Sequence, residues 1–469
     1  MALAFFNTLT RTLEPFKPMK EGKVGLYTCG PTIYNFAHIG NFRAYVFEDL
    51  LRRYLEYRGY DVCHIMNLTD VEDKIIRTCR ETGQPLKSVT AKFAAAFFED
   101  VKTLKIQPAH LYPAATDHIP EMVGMIKKLR EKGHTYEDKG SIYFKLSTFP
   151  GYGALGHMDL NQLQSGASGR VDADEYDSDN ARDFALWKAW DEDDGDVFWE
   201  TELGKGRPGW HIECSAMATK YLGPHFDIHC GGVDNIFPHH ENEIAQSECA
   251  TGETFVNYWL HCAHLVVDGR KMSKSLGNFY TLRDLLARGN DPLVLRWALI
   301  ATHYRQPNNF SFDVLDAAKN AIGRIRDFRI RLGELKQDGT DLSDLSDLCG
   351  KCRAQFEAEM DNDLNISGAL GAVFNLIRDA NKALDEGSVS TAGAANALAL
   401  LDRLDAVTGI FRPGQEDDEA PAEIMEKVLA RQQARRDRNF AESDRLRDEV
   451  LAAGWVIEDT PKGPRVKKA

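Results

Sequence analysis

Apolar positions near the start of the chain fall into two alternating rhythms. Val24 to Cys29 and Val62 to Asn67 are short, almost continuous apolar runs that predict buried strands, whereas Tyr45 to Tyr57 and Val71 to Thr82 carry the spacing of helices. A strand-helix-strand order with right-handed crossovers predicts an α/β fold on a doubly wound parallel sheet. Gly151 to Asp179 turns polar and rich in Gly, Ser and Asp, which predicts a loop within an inserted module beginning after Pro120. Strand character returns at Phe226 to His229 and at Leu265 to Val267. From Phe312 onward the apolar spacing (Ile322, Ile325, Phe328, Ile330, then Leu370, Val373, Phe374, Ile377) predicts a helical bundle. Pro413 to Pro421 is acidic and punctuated by proline, as a linker would be. Beyond it, Arg431 to Ala469 carries ten Lys and Arg against seven Asp and Glu, a small basic module on an otherwise acidic chain.

Bulk properties narrow the class. A chain of 469 residues, 43% hydrophobic, has room for two to four domains with a substantial core. No stretch approaches the eighteen apolar residues of a membrane span, and Ala2 to Phe6 is too short for a signal-peptide core, so a soluble cytoplasmic protein is expected. Nine cysteines, an odd number without a small-domain framework, favour reduced thiols or metal ligands over disulfides. A formal charge of −14 excludes a uniformly basic nucleic-acid coat but leaves room for a local basic face.

Three constellations carry candidate chemistry. Lys271 to Ser275 reads KMSKS, placing the Lys271 and Lys274 ammonium groups on a short loop that can close over a polyphosphate, with Gly277 for mobility. Upstream, His38, Ile39, Gly40 and Asn41 sit where a strand hands over to a helix beginning near Phe42, so backbone N–H groups and an imidazole face an anion. Cys29 ends the first strand, Cys214 lies in WHIEC, and His239 with Glu243 are spaced i, i+4 on a helix starting at Pro238. Two thiolates, an imidazole and a carboxylate suit zinc. Each feature alone has a plainer reading: a solvated lysine run, a small buried thiol, a surface His/Glu pair.

In this order and separation, HIGN and KMSKS resemble the paired signature of class I aminoacyl-tRNA synthetases, in which HIGH follows the first strand, and KMSKS the last, of a split Rossmann-like sheet. The neighbourhoods GRPGWHIECSAM and HFDIHCGGVDNIFPHHENEIAQSE resemble the cysteinyl-tRNA synthetase family over essentially the whole chain. That resemblance implies one zinc ion per subunit on Cys29, Cys214, His239 and Glu243, reading the thiolate of L-cysteine. It implies a cysteine pocket that also includes Thr69, Trp210 and His229, although Thr69 equally reads as a helix N-cap before Asp70 to Lys74. It implies ATP with Mg2+ bound by His38, Gly40, Asn41, Gly231, Gly232, Asp234, Lys271 and Lys274, of which His38, Lys271 and Lys274 are catalytic. The acceptor is then tRNA(Cys), the protein a monomer, and no editing site is needed. Residues 1–120 and 207–246 become the two halves of the catalytic domain, 121–206 a connective module for the acceptor end, 247–311 a stem-contact region, 312–412 the bundle, and 413–469 a linker and anticodon-binding module with Phe440 and Trp455 as aromatics, although Trp455 equally reads as a core position. The chain departs from the family pattern at Asn41, where HIGH has its second His; Asn donates a hydrogen bond but cannot become cationic.

Two other functions share these motifs. A cysteine ligase of mycothiol synthesis uses the same adenylation on an amino sugar but lacks an anticodon-reading end, and a non-catalytic tRNA-binding paralogue would be expected to have lost Lys271, Lys274 or His38. Weaker motifs fail on their own terms. His239-His240-Glu241 is not followed by P-C-x-x-C, the H-E-x-x-H begun at His240 ends in Ile244, and Cys349 with Cys352 form a lone pair in a charged helical region.

Overall fold

The computed structural model describes residues 2–158, 183–336, 342–412, 421–460 and 463–468. Most of the loop expected between Gly151 and Asp179, and of the linker at Pro413 to Pro421, lies outside the described residues.

A parallel sheet of four strands positions the site. β1 (Lys23–Thr28) pairs with β2 (Asp61–Met66) from Lys23↔Asp61 to Thr28↔Met66. On its other side β1 pairs with β3 (Phe226–Gly232) through Leu26↔Ile228, Tyr27↔His229 and Thr28↔Cys230. β4 (Val256–Cys262) continues the sheet, from Phe226↔Val256 to Gly232↔Cys262. The order is therefore β4-β3-β1-β2. The chain leaves β1 in one direction to form β2 and returns much later to its other flank, so the order reverses between β1 and β3. Ligands in such sheets bind beyond the carboxyl ends of the strands at that reversal. Val24, Leu26, Tyr27, Ile228, Cys230 and Leu260 are all buried, as the apolar runs of a sheet covered on both faces require.

Helices α1 (Ile39–Tyr57) and α2 (Asp73–Thr82) follow β1 and β2; α3 (Trp210–Leu222) leads into β3, and α4 (Glu241–Thr251) joins β3 to β4. Three expectations shift. α1 begins at Ile39 rather than near Phe42, because His38 caps it. α2 begins at Asp73, and its N-cap is Glu72, whose carboxylate accepts from the Lys74 N–H at 2.8 Å, so Thr69 does not cap it. β4, with Asn257 and His261 among its apolar residues, did not stand out in the sequence; the N-terminal hairpin Ala4–Asn7/Thr12–Pro15 covers its edge, with Asn7 donating to the Asn257 carbonyl at 2.9 Å.

Between the helix Ile119–Glu131 and α3, five strands form an antiparallel sheet ordered Thr135–Asp138, Ser141–Phe144, Phe184–Ala189, Gly204–Pro208, Trp199–Thr201. The expected strand Leu265–Val267 forms, but in a separate small sheet with Arg270–Lys271 and Asn308–Phe310. Phe312–Gly333, Ser346–Asp361, Ile366–Asp385 and Thr391–Thr408 make the helical bundle. Ile322, Ile325, Phe328, Leu370, Val373 and Ile377 are buried as their spacing predicts, while Ile330 and Phe374 are half-buried. Arg296, wholly buried, ties bundle to sheet: it donates to Asp49 on α1 at 2.5 Å and to the Leu104 and Thr408 carbonyls at 2.9 Å.

Residues 410–469 form a second unit. Helices Ala422–Arg436 and Phe440–Ala452 and the hairpin Trp455–Thr460/Gly463–Lys468 enclose a core of Ile424, Val428, Val450, Trp455 and Ile457. Trp455 is thus a core residue and does not offer a stacking surface, whereas Phe440 is 62% exposed.

Glu48 lies on α1 beneath the sheet, fully buried, with neither carboxyl oxygen hydrogen-bonded. Burial pushes its pKa up to about 8, against which nearby Thr28 pulls only weakly. For an acid raised in the folded state, the unfolded chain ionises first. Stability therefore declines from about pH 4.5, the ordinary carboxyl value, and levels off above about pH 8. Glu48→Gln should leave Tm nearly unchanged at pH 5 and raise stability by about 3–5 kcal/mol at pH 8.5, as read by calorimetry at the two pH values. An equal Tm shift at both would show that Glu48 is not held protonated.

Candidate active site

At the carboxyl ends of β1 and β3 the chain gathers four predicted donors. Cys29 follows β1 directly, Cys214 sits in α3, and His239 and Glu243 lie one turn apart where a short irregular helical segment, Ile236–His240, runs into α4. The expected helix from Pro238 is therefore a kinked turn plus α4, with non-helical backbone at Phe237. One donor atom from each of the four residues falls within 4.8 Å of every other, as a single metal ion requires. Gly30 makes this possible, because a Cβ there would lie 1.8 Å from the Asn67 carbonyl oxygen, so only glycine lets β1 turn against the end of β2.

The donor atoms are prepared for a cation. Glu243 Oε1 is buried, accepts no hydrogen bond, and lies 3.0 Å from His239 Nε2. His239 uses Nδ1 to meet His211 Nδ1 at 2.9 Å, which orients the ring with Nε2 toward Glu243. Trp210, the first residue of α3, stacks on the His239 ring at 4.4 Å. The other oxygen of Glu243 is 3.0 Å from His229 Nε2. Burial, the hydrogen bond with Cys214 and nearby charge hold the Cys29 thiol well above its usual pKa. For Cys214, the bond with Cys29 pulls down, but burial and the Glu243 charge prevail and its pKa is also raised. Burial, reinforced by His211 and His229, keeps His239 well below the ordinary imidazole range. Without a cation the cluster thus holds neutral thiols and a neutral imidazole; a bound divalent ion reverses the preference of the thiols.

Sequence reading missed the histidines behind these donors. His240 approaches Cys29 Sγ at 3.3 Å and His261 at 2.8 Å, and His261 meets the Thr8 hydroxyl at 2.7 Å. Cys29, His229, His240 and Glu243 consequently form a second, overlapping donor set. The His239-His240 doublet was the available signal, but a period of 3.6 cannot say that adjacent histidines converge on one carboxylate. Thr69, also buried, donates to Glu213 Oε2 at 3.0 Å beside Cys214. A Cβ on Gly231 would lie 2.9 Å from His240 Cε1, so its missing side chain accommodates that imidazole, while Gly232 faces more open space.

The other motifs meet on the same side of the sheet. His38 caps α1: its Nδ1 accepts from the Asn41 N–H at 3.1 Å, and Asn41 Oδ1 accepts from the His38 N–H at 3.1 Å. With Nδ1 an acceptor, the neutral ring carries its proton on Nε2, and burial lowers the His38 pKa to favour that neutral form. Asn41 is thus engaged in the helix cap. Residues after KMSKS pair with this segment through the His38↔Thr281 bridge and an Ile39 N–H donated to the Tyr280 carbonyl at 3.0 Å. Phe279, unforeseen in the sequence, lies between the motifs: the His38 ring meets it edge-on at 5.3 Å and Lys274 Nζ is 5.4 Å from its centroid. Lys271 ends the strand Arg270–Lys271, and Ser273 caps a short turn that closes at Gly277. Asn278 ties the loop shut, accepting from the Ser273 N–H at 2.9 Å and donating to the Lys271 carbonyl at 3.1 Å. Both lysines remain exposed.

A parallel sheet whose reversal gathers a thiol-rich donor cluster, with HIGH-like and KMSKS segments alongside, defines a class I synthetase fold. Residues 15–320 match the family model of tRNA synthetases class I (C) catalytic domain, and residues 355–412 match that of the DALR domain. A Mycobacterium tuberculosis methionyl-tRNA synthetase structure in complex with methionyl-adenylate shares the fold at a TM-score of 0.62 and 15% identity, over 82% of this chain and 92% of that one. Cysteine--tRNA ligase of Brachyspira hyodysenteriae is 51% identical over 99% of both chains, and that of Solibacter usitatus 47% identical over 100% of both. The chain belongs to the cysteine--tRNA ligase family of class I synthetases. No helix among the described residues is long and apolar enough to cross a membrane.

The two donor sets predict different outcomes. If Cys214 and His239 hold the metal, Cys214→Ser should weaken divalent-ion binding far more than His240→Ala, which removes only a contact behind Cys29 and costs about 10–100-fold. Chelator competition on metal-analysed protein distinguishes them, and the reverse pattern would move the site to the His229/His240 set.

Proposed function

We propose that the chain ligates L-cysteine to tRNA(Cys) through a cysteinyl-adenylate, using ATP with Mg2+ and releasing AMP and diphosphate. The observation that carries this reading is the convergence of the Cys29, Cys214, His239 and Glu243 donors with His38 and the KMSKS loop in a chain whose full-length relatives bear that name. Such relatives favour tRNA charging over the amino-sugar acceptor and over a non-catalytic paralogue.

Selecting cysteine against serine means distinguishing sulfur from oxygen, and an apolar pocket discriminates so small a change by only about 1–3 kcal/mol. Cys29, Cys214, His239 and Glu243 would hold one zinc ion per subunit, which would supply a Lewis-acid centre that favours a thiolate over an alcohol. Glu243 and His239 are braced for this by His229 and His211, and Trp210 and Thr69 wall the pocket. The substrate carboxylate attacks the α-phosphorus, and charge builds on the phosphoryl oxygens. His38 offers Nε2–H to those oxygens, and the Gly40 and Asn41 backbone adds the partial positive charge of the α1 N-terminus. Lys271 and Lys274 close on the triphosphate as diphosphate leaves. Gly231, Gly232 and Asp234 hold the adenosine. Catalysis is positioning plus electrostatic stabilisation, without a covalent enzyme nucleophile.

The tRNA acceptor end meets 121–206 and its stem 247–311, and the anticodon is read by 413–469, where exposed Phe440 adjoins Arg436 and Arg438. The protein acts as a cytoplasmic monomer.

Purified protein should show cysteine-dependent exchange of pyrophosphate into ATP and charge tRNA(Cys); exchange without charging would move the acceptor to a small amine. Lys274→Ala should slow pre-steady-state adenylation by about a hundredfold while cysteine affinity stays within about threefold. Unchanged adenylation would remove the loop from catalysis. Deleting 413–469 should preserve exchange and impair charging, and unaltered tRNA kinetics would contradict the RNA-binding role of that segment.

A further inference from the structure

Beyond the residues assigned so far, His264 stands where a nucleotide would be held. β3 and β4 end side by side at Gly232↔Cys262, and each chain then runs two residues further, to Asp234 and to His264. There His264 Nδ1 lies 3.2 Å from Asp234 Oδ2, with the side chains 48% and 55% exposed. The Asp234 charge also acts on the other motif, raising the His38 pKa slightly against the dominant effect of burial. Asp234 and His264 thus stand together over the carboxyl ends of a parallel sheet, where α/β folds bind nucleotides.

His264 is itself held firmly. Its carbonyl accepts from the Asn308 N–H at 3.0 Å, and the Ala263 N–H before it donates to the Tyr304 carbonyl at 2.8 Å. Leu265–Val267 follows at once and pairs with Arg270–Lys271, the strand that opens KMSKS. A half-exposed polar contact of this kind adds little to stability, so stability does not account for an imidazole placed at this point. A carboxylate has about four lone-pair sites, so contact with an imidazole nitrogen does not exhaust its capacity to accept a ligand hydroxyl.

We propose that His264 is a nucleotide-positioning residue: its Nδ1, 3.2 Å from Asp234 Oδ2, confines that carboxylate to the orientation that accepts the ribose hydroxyls of ATP. The assignment rests on the adenylation reading above and adds to it a residue that links the β3 turn to the KMSKS hairpin.

The test compares ATP with 2′-deoxyATP in cysteine-dependent pyrophosphate exchange, using full-length wild type, His264→Ala, His264→Gln and Asp234→Asn. His264→Ala should raise KM for ATP about tenfold and lose most of the preference for ATP over 2′-deoxyATP, in line with the loss of one polar contact to a carboxylate. KM for cysteine and metal content should not move, and His264→Gln, which retains an N–H donor, should recover part of the discrimination. A lower kcat with KM and ribose preference unchanged would show a merely structural role and overturn the proposal, as would unchanged kinetics throughout. Should His264→Ala fail to fold, the same criteria apply to His264→Gln and Asp234→Asn, where unaltered ribose preference in both is equally decisive against it. Absence of exchange in the wild type would instead overturn the adenylation reading itself.

Discussion

The parallel pairing of β1 with β3 is the contact on which the site depends. Tyr27↔His229 and Thr28↔Cys230 place residues roughly two hundred apart in sequence on neighbouring strands and deliver Cys29 and the turn after Gly232 to the same end of the sheet. Everything inserted between them, the antiparallel sheet included, must return the chain to β1 in that register. A parallel pair needs a long crossover in any case, and here the crossover also contributes α3, which brings Trp210 and Cys214 to the site.

The cost of such a site is concentrated burial of polar groups. His211, His229, His239, His240, Glu241, Asn242 and Glu243 are all buried, and His239 and His240 resist protonation there while the Cys29 and Cys214 thiols resist ionisation. Ring-to-ring hydrogen bonds offset part of this burden by fixing tautomers, as His211 does for His239 and His261 for His240. A divalent ion among Cys29, Cys214, His239 and Glu243 would offset more, by giving Glu243 Oε1, which accepts no hydrogen bond, a positive partner. The KMSKS loop and the turn after β3 differ: Lys271 and Lys274 stay in water, where charges are easily kept and free to rearrange, and Asp234 and His264 are half-exposed.

Asn41 shows how a motif departure is absorbed. In the cap of α1 its side chain returns the hydrogen bond that His38 accepts. The exchange orients the one remaining imidazole so that Nε2 carries the proton.

Local chemistry was legible from residues alone. Continuous apolar runs marked β1 and β2, the heptad-like spacing marked the bundle, and the i, i+4 separation of His239 and Glu243 placed both on one face of the chain. These features depend on neighbours a few residues apart, which a sequence displays directly. Family motifs added the identity of the distant partners. Tertiary structure alone decided that Phe279 sits between His38 and Lys274, that His240 and His261 stand behind Cys29, that Gly231 makes room for an imidazole, that Trp455 is core, and that His264 meets Asp234. Each of these depends on strand register or on packing between segments far apart in sequence, where a one-residue slip would turn every side chain to the opposite face.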